Sequence, residues 1–497
     1  MKFNIITGPL EKQNASCIVT AIFNNNELSH LTKILDIISN NYISNTIKNL
    51  NNNENLNSLI LYNVPNINSK KIILINCGNK NNLSKSDYKK IIFNSIKIIK
   101  TTQSKNILYL INNDCNIKNQ NIFYNTKHLI ININDILYKF NKYKTNNNNE
   151  TVLKNIMIYS TKHEISNIQK SIKYGIIISK SIKYAKDLAN TPPNICTPTY
   201  LANEVYNLSK IYKNLSVTII NKKEIKKSNM NFILSISKGS SENPKIIILK
   251  YINNSNQKPL ILIGKGVTFD SGGMCLKSYK SMLGMKYDMC GASSILGVFI
   301  FILELKIKIN IIGIIPSVEN MINGKSIKPN DIIKSMSGKT IEILNTNAEG
   351  RLILCDALTY SQKYNPMIII DIATLTGATI TALGKNYNAL YTNNSKLSND
   401  LLIAGKMIDD ICWKMPLSKK YNEKLKNTLA DLSNVGDETG QSITAACFLS
   451  NFTTNTPWAH LDIAGTSTIK NNEIEEATGR PTKLLIQYII NLSSTFK

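Results

Sequence analysis

The stretch PLILIGKGVTFDSGG, residues 259–273, joins a strand-like run to a segment that carries a lysine and an aspartate. Residues 259–264 are almost continuously apolar, as expected for a parallel strand covered on both faces. Lys265 and Asp270 follow in a glycine-bounded segment, which we interpret as a loop at the carboxyl end of the strand. Ligands of open α/β sheets bind at that end. The stretch therefore predicts both an α/β fold and the location of its chemistry.

The chain around this stretch alternates strand-like and helix-like segments. Helices are predicted at 289–305, 350–363 and 441–453, and further buried strands at 245–252, 309–316, 341–344, 367–373 and 458–464. This alternation predicts a mostly parallel central sheet covered by helices on both faces.

The N-terminal part of the chain forms a second, smaller α/β domain in this interpretation, since 497 residues exceed one typical domain. Short apolar runs predict its strands, at 16–23, 58–64, 71–77, 106–112 and 128–133. A long helix-like segment, 166–191, ends before Pro192. We therefore expect an N-terminal domain at 1–160, a connecting helix at 161–192 and a larger C-terminal domain at 193–497.

A second polar segment, NTNAEGRL at 345–352, repeats the arrangement around Lys265 because it follows the predicted strand 341–344 and opens the predicted helix 350–363. Four oxygen ligands can converge at one edge of the sheet, namely Asp270, Asp288, Asn347 and Glu349. Carboxylates without imidazole suit Mn²⁺, Mg²⁺ or Zn²⁺, and several together suit two ions. Taken alone, Asp270 would be interpreted as the cap of a turn and Asp288 as the cap of a helix. The interleaved Lys265, Lys277 and Arg351 favour a metal site instead.

Other classes of protein and site are disfavoured by the sequence. The segments NGKS (323–326) and SGKT (337–340) lack the earlier glycine of a phosphate-binding loop. His460 is the only histidine of the larger domain and lies in a strand-like run, which predicts a core histidine. A histidine-rich zinc site is thereby excluded, and a Ser-His-acid triad is disfavoured.

The amino-acid composition limits the cellular location and the binding partners that can be expected for this protein. The segment MKFNIITGPLEKQ (1–13) has no apolar core, so no secretory signal is predicted, and the apolar run 295–303 is too short to span a bilayer. Nine scattered cysteines without a CxxC pair indicate reduced thiols, hence a cytoplasmic protein. The net charge of +26 permits DNA binding, but Asn, Ile and Lys are enriched throughout, as drift towards AT-rich codons would produce.

With these motifs, the chain resembles the leucyl (cytosol) aminopeptidase family of hexameric two-metal exopeptidases. The resemblance covers nearly the whole chain and is strongest from AKDLANTPPNICTPTYLA (185–202) to GRPT (479–482). It includes DIATLTGA (371–378), SITAACFLSNF (442–452) and WAHLDIAGT (458–466). It implies release of N-terminal residues from peptides, two Mn²⁺ or Zn²⁺ ions per chain and a homohexamer. Some relatives bind DNA.

The resemblance also implies roles for individual residues. Lys265, Asp270, Asp288 and Glu349 match metal ligands, and Asn347 stands where the family normally has Asp. Lys277 and Arg351 match the two catalytic residues, which stabilise the oxyanion and hold a bicarbonate general base. The bicarbonate would contact backbone N–H groups, those of Ala348, Gly350, Arg351 and Leu375. The loop TLTGA (374–378), with Thr374 and Gly377, suggests an apolar pocket for Leu and similar residues.

Asn347 leaves three interpretations open. The chain is an active aminopeptidase with one weakened metal site, because the site has three carboxylates where an Asp would give four. It is a catalytically weakened member retained for DNA binding or scaffolding. Or it is an enzyme with an altered choice of metal.

Overall fold

The computed structural model describes residues 1–50, 56–80, 83–118, 120–145, 152–253, 256–453, 456–471 and 474–494. The chain divides into two units, Met1–Ser179 and Lys180–Lys497. The long helix predicted at 166–191 is present as Ile165–Asn190 and contains this division. Two α/β domains are therefore confirmed, while the boundaries at 160 and 192 stay predictions.

A six-stranded sheet forms the centre of the first unit. Its strands are β1 (Lys2–Ile6), β2 (Cys17–Ile22), β3 (Ser58–Tyr62), β4 (Lys71–Asn76), β5 (Asn106–Tyr109) and β6 (Asn155–Tyr159). The order is β1-β6-β5-β2-β4-β3, and every pair is parallel except β3 with β4. Helices accompany the sheet, namely α1 (His30–Ile38), α2 (Tyr42–Asn49), α3 (Lys85–Thr101), α4 (Ile111–Asp114), α5 (Ile122–Ile136) and α6 (Ile165–Asn190).

Side-chain alternation explains why this sheet is buried on both faces. Val19 and Ala21 of β2 belong to one apolar cluster, whereas Ile18 and Ile22 belong to another. Successive residues of a strand point to opposite faces, so the continuous apolar run of β2 requires cover on both.

One predicted strand of this unit is wrong. Residues 128–133, HLIINI, lie inside helix α5 and not in the sheet. A six-residue apolar run fits a buried strand and a buried helix equally well, because periodicity is not visible over so short a length. Helix α5 begins at Ile122 and is capped by Asn121, whose side chain accepts a hydrogen bond from the Tyr124 N–H group.

The second unit contains a nine-stranded mixed sheet and two small ones. The strands are β7 (Ser216–Ile220), β8 (Lys245–Tyr251), β9 (Leu260–Gly264), β10 (Gly266–Asp270), β11 (Ile311–Asn320), β12 (Ile332–Lys334), β13 (Thr340–Glu342), β14 (Ile368–Ala373), β15 (Asn388–Thr392), β16 (Cys412–Lys414), β17 (Leu432–Ser433), β18 (Trp458–Asp462), β19 (Thr468–Asn471) and β20 (Ile474–Ala477). The large sheet has the order β16-β15-β18-β14-β9-β11-β8-β7, and β10 pairs with β11. Its centre, β18-β14-β9-β11, is parallel throughout.

Helices complete this unit, namely α7 (Pro198–Ile211), α8 (Lys222–Lys227), α9 (Asn231–Ile236), α10 (Tyr279–Met282), α11 (Cys290–Leu305), α12 (Glu349–Ser361), α13 (Gly377–Leu383), α14 (Ser395–Ile408), α15 (Lys419–Glu423), α16 (Gln441–Ser450) and α17 (Thr482–Ser494). The predicted helices 289–305, 350–363 and 441–453 correspond to α11, α12 and α16. The predicted strand 341–344 is present only as the short β13, which belongs to a separate three-stranded sheet with β12 and β17.

Helix α11 packs against β9 and β14, and α12 packs against β9 and β11. A glycine permits the first contact, because a Cβ on Gly291 would lie 2.1 Å from the carbonyl oxygen of Ile372. Among the described residues, one segment, Tyr279–Leu305, is long and apolar enough to cross a membrane by length and composition. Its most apolar window is 89% buried inside the protein, so the segment is accounted for as a core helix.

His460 occupies the core, as predicted. It lies in β18 with no exposed surface, and its Nδ1 is 2.5 Å from Oδ1 of Asp371 in the neighbouring strand β14.

Candidate active site

Lys265 and Asp270 lie where the central strands end, but not in a loop. Lys265 separates β9 from β10, and Asp270 is the last residue of β10, which pairs in parallel with the end of β11. The predicted loop is therefore wrong. The strand is interrupted only at Lys265, and β10 continues beside β11 in the same direction and, at its start, in the same register as β9.

Three carboxylates converge at this edge of the sheet. One ligand atom each from Asp270, Asp288 and Glu349 can be chosen so that all lie within 4.8 Å of one another, and all three side chains are buried. Glu349 is the first residue of α12, as predicted for the polar segment 345–352. Asp288 lies in a 3-10 turn, Met285–Met289, immediately before α11.

Lys265 forms the centre of the carboxylate cluster. Its Nζ lies 2.7 Å from Oδ1 of Asp288 and 2.8 Å from Oε1 of Glu349, and it donates a hydrogen bond to the carbonyl oxygen of Thr374 at 3.1 Å. This position depends on a glycine, since a Cβ on Gly350 would lie 2.6 Å from Cε of Lys265. Lys265 thus joins α12, the turn before α11 and the segment after β14.

Lys277 contacts the other side of the cluster. Its Nζ lies 2.6 Å from Oδ2 of Asp270 and donates a hydrogen bond to Oδ1 of Asn347. The second oxygen of Asp270 accepts hydrogen bonds from the Gly272 N–H group and from Asn320 Nδ2, both at 2.8 Å. Asn320 was not predicted as a site residue. It is the last residue of β11 and lies four residues beyond the strand predicted at 309–316.

Burial and charge act against each other in this cluster. Burial, with the charges of Glu349 and Asp270, raises the pKa of Asp288 to about 8. Burial also raises the pKa of Asp270. Against the effect of burial, the ammonium groups of Lys265 and Lys277 hold the pKa of Glu349 below its ordinary value. Burial alone would lower the pKa of Lys265, but the charges of Asp288, Glu349 and Asp270 raise it. The cluster therefore favours bound cations.

The donor set fits divalent metal ions. Oδ2 of Asp288 is buried without a hydrogen-bond partner, so it is an acceptor that a cation would satisfy. The remaining oxygens belong to carboxylates and to the Asn347 amide, which suit Mn²⁺, Mg²⁺ and Zn²⁺. Lys265 could add a nitrogen ligand only after losing its proton. The residues that would hold metal are Asp270, Asp288, Glu349, Asn347 and Lys265.

Arg351 lies behind the cluster in the first turn of α12. It is buried, its Nη1 donates to the carbonyl oxygen of Asn434 at 2.9 Å, and its Nε has no hydrogen-bond partner. Burial lowers the pKa of Arg351 to about 10. An unpartnered guanidinium N–H at the start of a helix favours an anion.

Two of the four N–H groups expected to hold bicarbonate have acceptors within the protein. The Ala348 N–H group donates to the carbonyl oxygen of Asn345 at 3.2 Å, and that of Leu375 donates to Oδ1 of Asp462 at 3.1 Å. The groups of Gly350 and Arg351 lie in the first turn of α12, where N–H groups lack intrahelical acceptors. The donors available to an anion are therefore Arg351 and the N–H groups at the start of α12, rather than the N–H group of Leu375.

A cavity of about 380 Å³ connects these residues. Every predicted site residue lines it except Ala348, Gly350 and Arg351, which lie behind its wall. Residues absent from the sequence prediction also line it, namely Ser281, Leu283, Gly284, Met285, Tyr287, Thr376, Ile380, Lys385, Ala464, Ser467, Thr468 and Glu475. Several of them lie in segments that the sequence analysis quoted, such as Ser281 between Lys277 and Asp288 and Thr376 in the loop 374–378, but their side chains did not single them out.

Two family models match most of the chain. Residues 183–486 match the catalytic domain of the cytosol aminopeptidase family, and residues 19–147 match the N-terminal domain of the same family. The chain is 43% identical to a probable cytosol aminopeptidase of Buchnera aphidicola subsp. Baizongia pistaciae, over 99% of each chain. It is 42% identical to that of Blochmanniella floridana, again over 99% of each chain.

A solved structure shares the fold. The bottromycin maturation enzyme BotP in complex with Mn is similar with a TM-score of 0.81 and 22% identity, covering 96% of this chain and all of that one. The chain therefore belongs to the cytosol aminopeptidase family and is a peptidase, a hydrolase that releases N-terminal residues from peptides.

Proposed function

We propose that this aminopeptidase is metal-dependent and uses two divalent ions per chain, Mn²⁺ or Zn²⁺, held by Asp270, Asp288, Glu349, Asn347 and deprotonated Lys265. The observation that carries the proposal is the buried carboxylate cluster around Lys265, with an unpartnered Asp288 oxygen, at the wall of a cavity. When bound, such ions supply Lewis acidity and lower the pKa of a water.

The residues of the chain supply the remaining parts of the reaction. Lys277 is a cation whose Nζ lies at the cavity wall, and it stabilises the negative charge that develops on the carbonyl oxygen of the scissile bond. Arg351 and the start of α12 form an anion site behind the cluster, which suits bicarbonate as a general base. With two dications bound to three carboxylates the site would be net positive, so it would take the substrate's free α-amine in its neutral form, as a ligand, and peptides with an unblocked N-terminus are the substrates.

Part of the cavity wall is apolar, which supports a preference for Leu and similar N-terminal residues. Leu283, Met285, Leu375, Ile380 and Ala464 contribute this surface. Burying an aliphatic side chain there is favourable by about 25 cal/mol for each Å² removed from water. A cytoplasmic location, a homohexamer and DNA binding stay predictions.

The proposal is tested with the purified full chain, stripped of metal by a chelator and reloaded with Mn²⁺ or Zn²⁺. We expect hydrolysis of Leu-p-nitroanilide only after reloading, with about two ions per chain by elemental analysis. The N-acetylated substrate should resist hydrolysis. Asp270→Asn should lose metal, whereas Asp356→Asn, a buried carboxylate of α12 that does not line the cavity, should keep it. Hydrolysis by the metal-free chain would overturn the metal dependence, and no hydrolysis by the loaded chain would overturn the activity.

A further inference from the structure

Asp462 is a buried carboxylate beside the site that sequence motifs did not single out. It is the last residue of β18 and is 1% exposed. Its register partner in the parallel strand β14 is Ala373, the residue immediately before Thr374. The carboxylate therefore lies at the edge of the sheet where the segment 374–379 leaves it.

All four acceptor positions of this carboxylate are used. Oδ1 accepts hydrogen bonds from the backbone N–H groups of Leu375 and Ala464, both at 3.1 Å. Oδ2 accepts from the hydroxyl groups of Thr376 and Thr379, both at 2.7 Å. A carboxylate has about four lone-pair sites, so Asp462 is saturated. Three of its four donors belong to the segment 374–379.

The same segment also holds the residues of the site. The Thr374 hydroxyl donates to Oδ1 of Asp288 at 2.7 Å, and the Thr374 carbonyl oxygen accepts from Nζ of Lys265 at 3.1 Å. Thr374 thus bridges a carboxylate and the central lysine. Its position is set by its neighbour Leu375, whose N–H group is bound by Asp462.

Stability alone does not account for a carboxylate here. Among the described residues, the four groups that bond directly to the Asp462 carboxylate are neutral, and its charge also acts on the more distant Arg351 and His460. Burying a charge without an ion pair is costly, and well-packed neutral residues are usually at least as stable. An Asn at this position would keep an acceptor for the two N–H groups, but its NH₂ group would require both threonine hydroxyls to accept instead of donate. Only the carboxylate accepts from all four groups as donors.

We propose that Asp462 is a positioning residue of the aminopeptidase reaction. Its carboxylate fixes the segment 374–379. Through the hydrogen bonds of Thr374, it keeps the side chains of Asp288 and Lys265 in their positions. The expected loss of activity rests on the proposed function. The expected loss of order in the segment 374–379 does not, because it is measured on the metal-free chain.

The test compares Asp462→Asn with a matched control, Asp356→Asn. Asp356 is equally buried and accepts hydrogen bonds from neutral backbone groups, those of Phe232, Ile233 and Met336, but it does not line the cavity. In the metal-free proteins, amide hydrogen exchange read by mass spectrometry should accelerate in peptides covering 374–383 for Asp462→Asn. The control should leave those peptides protected.

The kinetic measurement uses the metal-loaded proteins with Leu-p-nitroanilide. A displacement of the segment by about 1 Å is expected to lower kcat about 100-fold. KM is expected to change less than kcat, because Leu283, Met285 and Ala464 of the apolar wall lie outside the segment. Thr376→Val removes one of the four hydrogen bonds and should lower kcat by a smaller factor. This variant replaces Asp462→Asn in the test if Asp462→Asn does not fold. Asp462→Asn should also be non-additive with Thr374→Val, since both act through Thr374.

The two possible failures are distinct. If the wild-type chain hydrolyses no substrate, the proposed function falls, and the exchange measurement still decides whether Asp462 fixes the segment. If the wild type is active and Asp462→Asn loses no more kcat than Asp356→Asn, the inference is overturned. Unchanged exchange in 374–383 would overturn it as well.

Discussion

The side chains of Lys277 and Asn347 are hydrogen-bonded, with Nζ of the lysine donating to Oδ1 of the asparagine. The same Nζ contacts Oδ2 of Asp270 at 2.6 Å. Asn347 lines the cavity and is a neutral acceptor, whereas the resemblance to the family leads us to expect an acid at this position. Its amide adds no charge to the predicted ligand set.

Asn347→Asp should strengthen metal binding. A fourth carboxylate raises the ligand charge of the site, so we expect affinity for Mn²⁺ at the weaker site to rise about tenfold or more, a change of roughly 1.4 kcal/mol. Titration calorimetry of the metal-free proteins checks the affinity, and kcat at saturating metal should change much less. A wild-type chain that stays inactive at saturating metal while the variant is active would identify Asn347 as the cause of a catalytic loss.

Lys277→Met should lower kcat and leave the metal content unchanged. The loss of one cation that stabilises a developing oxyanion typically costs about 100- to 1000-fold in kcat. Lys277→Arg keeps the charge but changes its position, so an intermediate rate is expected. Equal kcat values for Lys277→Met and the wild type would show that Lys277 does not act on the oxyanion.

Metal binding should release protons, and fewer at high pH. The raised pKa of Lys265 keeps it protonated at neutral pH, and a pKa of about 8 keeps most of Asp288 protonated at pH 7. Both must lose protons to become ligands, so affinity rises with pH. We expect about two protons released at pH 6.5 and about one at pH 9, where only Lys265 still carries its proton. Calorimetry in buffers of different ionisation enthalpy measures this number. Zero release at pH 9 would exclude Lys265 as a ligand.

The central sheet could be predicted from sequence because its strands are short apolar runs separated by helices of visible period. The strands β9, β11, β14 and β18 are of this kind, and their parallel pairing follows from the intervening helices. The strand predicted at 128–133 failed because its length admits a helix. Strand β10 was missed because the polar Lys265 and the glycine after it interrupt the apolar run of β9, although β10 continues the same pairing with β11.

The candidate site was predicted where charged residues follow predicted strands. Lys265, Asp270 and Glu349 were identified in this way, and the structure brings them together with Asp288. Their catalytic and ligand roles stay predictions. Asn320 and Asp462 were missed because each acts by hydrogen bonds to segments far away in sequence. Such partners are set by the packing of strands, which spacing alone does not specify.

Gly350→Ala should disturb the site and spare the fold. The new Cβ would lie 2.6 Å from Cε and 2.8 Å from Nζ of Lys265, so the end of the lysine side chain must shift within the carboxylate cluster. Alanine favours a helix over glycine by up to about 1 kcal/mol, so the unfolding temperature should not fall. Mn²⁺ affinity should drop. Gly377→Ala serves as the control, because no atom lies within 4 Å of its Cβ position and its metal affinity should be unchanged. Equal affinities of the two variants would contradict the prediction.

Lys127 in α5 provides a test of electrostatics in the first unit. Its side chain is nearly buried, with Nζ 5.7 Å from the ring centre of Phe123 and 5.8 Å from that of Tyr124. Burial, with the charge of Lys85, lowers the pKa of Lys127 to about 8. The native state therefore binds fewer protons than the unfolded state between pH 8 and the ordinary pKa of about 10.4, and this lysine makes stability rise with pH across that window.

Lys127→Met should accordingly stabilise the protein at pH 7, and the gain should shrink towards pH 10. The gain in the free energy of unfolding at pH 7 is at most about 3 kcal/mol, and the loss of the cation–π contacts reduces it by about 0.5–1 kcal/mol. Urea unfolding followed by circular dichroism at pH 7 and pH 10 gives the two differences. Lys90→Met is the control, because that side chain is 75% exposed on α3, and its effect should be within about 0.5 kcal/mol at both pH values. The substitution changes the free energy of unfolding by one amount at pH 7 and by another at pH 10. If the change is less favourable at pH 7, the ammonium group is stabilised at its position in the protein.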